Sequence, residues 1–314
     1  MRRIAFQQTE IILKSTNYTE DKQLAVLVCE NLKYLYSVGT PFETAAIENI
    51  NFTAETGEII GIIGHTGSGK STFIQHLNGL LEPHSGKVFL NGSDIWSKEN
   101  KSKIRSVRFA VGLCFQYPEY QIFEDTIYKE IAFGPKQMGL DETEVRQRVL
   151  ESMDYVGLSC DMLDKSPFDL SGGQKRRVAI ASILAMKPQV LVLDEPCAGL
   201  DPKGREMILK LVRDYQHTEQ NTVLFVSHSM EDVARIADKV LVLNEGKTAM
   251  FGTVDEVYSH SGELKRMGLN VPEVCDVFLK LSDMGIPCKT NIFTLEAAQK
   301  EYKRLEKLKE EGLL

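Results

Sequence analysis

An α/β fold built on a mostly parallel sheet follows from three features of the 314-residue sequence. Two runs, Val190–Leu193 and Val223–Val226, consist of β-branched, leucine and phenylalanine residues, as in parallel strands buried on both faces. Helical spacing over 203–216 and 230–237 alternates with these runs, which is the order of a strand–helix–strand unit. A short apolar stretch, Glu58–Ile63, enters a glycine-rich loop and then a helical segment over about 70–81.

The remaining elements read as follows. Residues 1–24 are polar and weakly patterned and are expected to form an N-terminal extension. Residues 26–29 suggest a first strand, and residues 47–53 show the partial alternation of a strand on a half-exposed sheet. A turn-rich segment, Ser37–Pro41, separates them. Residues 125–187 contain almost no strand signal and read as a helical block inside the α/β frame. After about residue 255 the composition changes. Leu295, Ala298, Tyr302, Leu305 and Leu308 then recur at helical spacing, with Thr294 placed to cap and Glu296 in the first turn. The expected organisation is an extension over 1–24, a main domain over 25–255 with a helical subdomain at about 120–187, and a C-terminal extension over 256–314.

Composition narrows the function. Hydrophobic residues make up 43% and charged residues 26%, the balance of a globular protein. The formal net charge of −7 argues against broad binding to nucleic acid or anionic lipid. No stretch reaches the roughly 18 apolar residues of a membrane span. The basic start, Met1-Arg2-Arg3, is followed by polar Gln7–Glu10, so no signal peptide is expected. The six cysteines form no C-x-x-C pair and suit reduced thiols better than a disulfide framework.

The loop after Ile63 carries the strongest motif. Gly64-His65-Thr66-Gly67-Ser68-Gly69-Lys70-Ser71 fits G-x-x-x-x-G-K-[ST] between a strand and a helix. Glycines let the backbone N–H groups turn inward to a nucleotide's phosphates, and the helix adds its positive end. Lys70 is placed to reach the β- and γ-phosphates and the Ser71 hydroxyl to ligate Mg²⁺. Val190–Leu193 ends in Asp194-Glu195, at the sheet edge where ligands sit. Asp194 suits Mg²⁺ ligation, and Glu195 suits polarising an attacking water. Val223–Val226 ends likewise at Ser227-His228, which makes His228 a candidate γ-phosphate contact. Leu170-Ser171-Gly172-Gly173-Gln174 opens another helical run and offers a second anion-binding helix start.

This last pentapeptide resembles the signature of ATP-binding cassette ATPases. The order of phosphate loop, Gln116, signature, Asp194-Glu195, Asp201 and His228 is similar to that family over about residues 26–255. The resemblance implies a P-loop NTPase cassette with a RecA-like core, an antiparallel β subdomain and a helical signature subdomain, followed by a small helical or α+β extension. It implies an ATPase whose cassettes pair head to tail. Ser171, Gly172, Gly173 and Gln174 then serve the nucleotide held by the partner's phosphate loop. It makes Gly64 through Thr72 the ATP-binding stretch and Tyr36 the adenine stacker, with Tyr34 a close rival. Ser71, Gln116 and Asp194 become the Mg²⁺ residues. Glu195, His228 and Gln116 become the catalytic ones, and Asp201 part of the dimer-interface loop.

Cys114–Phe123, Gly39–Glu43, His65-Thr66 and the tail Gly268–Pro272 are similar to one branch, the ATPase subunits of energy-coupling factor transporters, specifically the second A-type subunit. That likeness implies a peripheral ATPase on the cytoplasmic face of the cell membrane, in a heterodimer with a second cassette. Its partners would be a membrane T component and an S component that binds a vitamin or transition metal ion. Alternatives are another transporter ATPase, such as a cobalt or nickel importer, a non-hydrolysing regulatory subunit, or a soluble nucleic-acid-associated ATPase. The C-terminal extension is expected to dimerise, with a regulatory role as the other reading.

Overall fold

The computed structural model describes residues 25–311. Two sheets carry the architecture. Strands β1 (Ala25–Tyr36), β2 (Thr44–Glu55), β4 (Ser85–Leu90) and β5 (Ser93–Asp94) form an antiparallel sheet in the order β2-β1-β4-β5. Strands β3 (Ile59–Ile63), β6 (Val111–Cys114), β7 (Val190–Asp194), β8 (Thr222–Val226), β9 (Lys239–Asn244) and β10 (Lys247–Thr253) form the second, ordered β10-β9-β3-β8-β7-β6. Within it only the β9–β10 hairpin is antiparallel.

The apolar runs are continuous because both faces of the parallel sheet are covered. Ile60, Ile62, Val190, Val192, Leu224, Val226, Leu241 and Leu243 point to one side. There they pack with Leu27, Leu32, Ile50 and Phe52 of the antiparallel sheet and with Phe73 and Ile74 of helix α1 (Lys70–Leu77). The alternate residues Ile59, Ile63, Leu191, Leu193, Val223, Phe225, Val240 and Val242 enter a second core on the opposite side. Helices α6 (Pro202–Glu219) and α7 (Met230–Ile236) cover it through Ile208, Val212, Tyr215 and Val233.

Helix α2 (Ile104–Ala110) leads into β6. The expected helical block contains α3 (Ile127–Gln137), α4 (Glu142–Tyr155) and α5 (Gly172–Leu184). Thr126 and Asp141 cap the first two by accepting from Lys129 and Glu144 backbone N–H groups. Their facing residues Ile127, Ile131, Val145, Val149, Met153, Val178 and Ala181 are buried in the second core.

The C-terminal segment is helical: α8 (Val254–Ser259), α9 (Ser261–Arg266), α10 (Glu273–Asp283) and α11 (Leu295–Glu310). Its first part joins the second core through Val254, Val257, Tyr258, Leu264, Leu269 and Val271. The Tyr258 hydroxyl donates to the Met230 carbonyl at 3.2 Å. Thr294 caps α11 as expected, accepting from Ala297 N–H at 3.2 Å. The anticipated apolar stripe on that helix, however, stays outside. Leu295 and Tyr302 are exposed, and the buried residue of the helix is Glu301, held by Arg304 and Lys289 N–H. Residues 1–24, read as an extension, lie outside the described residues. Among the described residues no helix is long and apolar enough to cross a membrane.

Gly61 sits in the middle of β3 where α7 lies directly on the sheet. A Cβ there would fall 2.3 Å from Val233 Cγ1. Gly61→Ala is expected to destabilise the chain by about 1–3 kcal/mol through overpacking. Adding Val233→Ala should return part of that loss. Urea midpoints of the two single variants and the double variant check this, since additive losses would contradict the contact.

Candidate functional site

Three parallel strands end side by side, and the predicted residues hang from those ends. The loop after β3 closes on neighbouring backbone. A Cβ at Gly64 would fall 2.3 Å from the Leu243 carbonyl oxygen. Gly69 takes a left-handed φ of 98°, and its Cβ would meet Ala46 O at 2.7 Å. Both glycines are therefore required by close approach. The Lys70 ammonium folds into the loop, donating to Gly64 O at 2.6 Å and His65 O at 3.0 Å. Ser68 and Thr72 are buried, Thr66 and Gly67 are exposed at the crest, and His65 Nδ1 lies 2.7 Å from Thr66 O.

Asp194 is the last residue of β7, and Glu195 turns away with a φ of 52°. Ser71 Oγ donates to Asp194 Oδ2 at 3.3 Å, so hydroxyl and carboxylate face each other across two loops. This pair of hard oxygens suits Mg²⁺, which is commonly held by one or two protein oxygens together with substrate phosphates. His228 follows β8 and places Nε2 3.3 Å from Glu195 Oε1, a buried oxygen without an aligned hydrogen-bond donor. Gln116 lies exposed two residues beyond β6, whose terminal Cys114 pairs with Leu193 of β7.

Burial moves these groups toward neutrality. It raises the Glu195 carboxyl to about 7, helped by the nearby Asp194 charge and opposed by the His228 backbone N–H and Lys70. Asp194 is raised by burial against the pull of Ser71 and Lys70. Lys70 is lowered by burial, with Glu195 and Asp194 acting the other way. His228 is lowered by burial and by the Lys70 charge, so it is neutral near pH 7.

Beside the loop, the Tyr36 hydroxyl lies 3.2 Å from Thr72 Oγ1, and its ring is 44% exposed. Tyr34, the rival, is half-buried and stands edge-on to Tyr36, His76 and His84 with ring centres 4.9–5.0 Å apart. Tyr36 thus presents the free ring, and Tyr34 braces it.

The signature gathers elsewhere. Ser171 caps α5 in a reciprocal box: Gln174 N–H donates to Ser171 Oγ at 3.4 Å and Ser171 N–H to Gln174 Oε1 at 3.0 Å. A Cβ at Gly172 or Gly173 would meet nothing within 4 Å, so this helix start is open. Ser171, Gly173 and Gln174 share a hollow with Leu200 and Asp201, and no phosphate-loop residue lines it. Asp201 also caps α6, accepting from Gly204 N–H at 2.7 Å.

Sequence reasoning missed one buried charge. Arg176 pairs with Glu119 in two hydrogen bonds of 2.7 and 3.0 Å. Its run, Lys175-Arg176-Arg177, reads as a solvated face, and the hint lay only in the helical register that turns Arg176 inward.

Comparison with known proteins agrees with this geometry. The family model described as ABC transporter matches residues 47–198. The chain is 51% identical over 275 residues to the energy-coupling factor transporter ATP-binding protein EcfA2 of Caldanaerobacter subterraneus subsp. tengcongensis, covering 88% of this chain and 96% of that one. It is 53% identical over 277 residues to the EcfA2 of Clostridium acetobutylicum, with the same coverage of 88% and 96%. Among solved structures it resembles cbiO1 of Clostridium perfringens, described as part of the ABC transporter complex cbiONQ. The TM-score is 0.68 at 36% identity, over 83% of this chain and 97% of that one. A dimeric post-hydrolysis state of the cassette MJ0796, bound to ADP and Pi, matches with TM-score 0.65 at 25% identity, over 73% of this chain and 98% of that one.

The Glu195 geometry has a stability consequence with a definite sign. Its carboxyl rises from 4.5 to about 7 on folding, so the folded chain holds a proton that the unfolded chain has released. Stability contributed at this position therefore falls as pH climbs from about 4.5 through about 7. Glu195→Gln removes the penalty. It should stabilise the unliganded chain by about 1–2 kcal/mol at pH 8, allowing for solvent access, and by almost nothing at pH 4. Paired thermal melts from pH 4 to pH 8 measure the gap; a constant gap would refute the burial argument.

Proposed function

The chain belongs to the ATP-binding cassette family as an ATP-binding subunit of an energy-coupling factor transporter, and from that premise we propose how its residues carry out the cycle. It binds ATP and hydrolyses it to drive transport. The juxtaposition of Lys70, Ser71, Asp194, Glu195 and His228 at adjoining strand ends carries the residue assignments that follow.

Tyr36 stacks on adenine, and the residues from Gly64 to Thr72 wrap the phosphates with inward N–H groups. Lys70 exchanges the Gly64 and His65 carbonyls for the β- and γ-phosphates, which explains why an ammonium is kept in a largely buried loop. Ser71 and Asp194 hold Mg²⁺, and Gln116 joins them from β6. When bound, the ion neutralises charge on the phosphates. Glu195 accepts the proton of the attacking water, and its raised value near 7 suits a base working close to neutral pH. Neutral His228 contacts the γ-phosphate and steadies Glu195 from 3.3 Å.

The second half of each site comes from another cassette. Ser171, Gly172, Gly173 and Gln174 serve the partner's nucleotide, and Asp201 lies in the loop between the two. The open helix start at Gly172 and its distance from this chain's own phosphate loop in the fold support that reading. ATP closes the pair, and hydrolysis reopens it. The partner is a second, related ATPase, giving a heterodimer, and residues 256–314 contribute to pairing through the exposed Leu295 and Tyr302.

Motion passes to a membrane T component, which works with an S component that binds a vitamin or transition metal ion. The chain acts at the cytoplasmic face of the membrane. Exposed Tyr117, Tyr120, Phe123, Phe133 and Phe168 gather about the segment after Gln116, with Tyr120 84% exposed. An apolar patch of this kind marks a protein-docking face.

Two measurements test the assignments. Glu195→Gln should cut ATP turnover by at least about 10²-fold while ATP still binds. Wild-type turnover should climb as pH rises through about 7, where Glu195 ionises. Near-normal hydrolysis in the variant removes Glu195 from its role. Co-purification from membranes should recover the chain with a multi-span protein, and recovery always alone would overturn the transporter reading.

A further inference from the structure

Arg176 occupies an unusual position for a charged residue. It is buried, with its side chain 4% exposed, five residues after Ser171 on the helix that the signature opens. All three of its nitrogens are engaged. Nε donates to Glu119 Oε2 at 3.0 Å and Nη2 to Glu119 Oε1 at 2.7 Å. Nη1 donates to the carbonyls of Pro196 at 3.3 Å and Ala198 at 2.5 Å. The guanidinium also lies 5.6 Å from the centre of the Tyr117 ring.

These contacts join three separate stretches of chain. Tyr117 and Glu119 follow Gln116 and border the exposed aromatic face. Pro196 and Ala198 come one and three residues after Glu195, in the loop that runs to Asp201. Arg176 itself stands on the signature helix. Burial alone would raise the Glu119 carboxyl, yet the hydrogen bonds and charge of Arg176 bring it below the usual glutamate value, so the pair is ionised. A planar fork with every nitrogen committed transmits displacement more faithfully than a single point contact. A buried ion pair is also a weak source of net stability, which leaves geometric registry as its physical advantage.

We propose that Arg176, locked to Glu119, is the positioning residue that carries movement at the membrane-facing aromatic segment to the loop following Glu195 and to the signature helix. Arg176 touches none of the groups assigned to nucleotide chemistry and acts through the carbonyls it holds. The inference rests on the transporter reading above, and it adds the device by which docking alters hydrolysis.

The test uses the assembled ATPase pair with and without its membrane component in liposomes, reading ATP hydrolysis in each state. Arg176→Lys keeps the charge but cannot make all four bonds, and Glu119→Gln keeps the shape but not the ion pair. Each should leave hydrolysis without the membrane component within about twofold. Each should reduce the change caused by that component by about tenfold, within the ordinary range of coupling between sites. The double variant should lose no more than the worse single one, as expected of one shared interaction. Unaltered coupling in Arg176→Lys would overturn the proposal. So would a parallel fall of both activities with a lowered melting temperature, the mark of a purely structural staple. A wild-type assembly whose hydrolysis ignores the membrane component would instead sink the transporter reading itself.

Discussion

Strands buried on both faces have no room for polar side chains along their length, so chemistry must wait until they end. In this chain β3, β7 and β8 are covered on both sides and hold side-chain alternation throughout, Ile60 and Ile62 to one core, Ile59 and Ile63 to the other. Their parallel registers bring Ile63, Asp194 and Val226 to a common edge. The residues that come next are Gly64, Glu195 and Ser227. Separate sequence motifs more than a hundred residues apart become one site because three strands stop together.

The same burial sets the electrostatics. Removing carboxylates and an ammonium from water disfavours their charged forms, and Glu195, Asp194 and Lys70 all move toward neutrality for that reason first. The carbonyls of Gly64 and His65 compensate Lys70 in part. A site of this kind is held in a less stable electrostatic state than the surrounding core and gains most from a ligand that brings opposite charge.

Much of the architecture was legible because local pattern and tertiary environment coincide. Val190–Leu193 and Val223–Val226 read as doubly covered strands, and they are. Thr294 reads as a cap and caps α11. Other elements were hidden for physical reasons. Strand β6 is four residues long and contains Gly112, where α5 packs so closely that a Cβ would meet Ile183 at 2.7 Å. Strand β5 has two residues and exists only by pairing with β4. In the site, motif spacing pointed to the phosphate loop, Asp194, Glu195 and His228, whose neighbours in sequence are informative. Arg176 and Glu119 were not legible, because 57 residues separate them and only the packing of α5 brings them into contact. The stripe on α11 shows the converse: helical spacing was correct, but periodicity alone does not say whether a face is covered within one chain.

Ser171 and Gln174 complete their mutual cap inside a single chain. The helix start offered to a second cassette is thus rigid before any encounter, and association involves no ordering of that segment. When the pair closes, an internal hydrogen bond of the Ser171 hydroxyl is exchanged for one across the interface, a near-balanced trade. A contact won by exchange is as easily surrendered, and the cap re-forms without delay. For an engine that must separate its halves after every stroke, reversibility is worth more than grip.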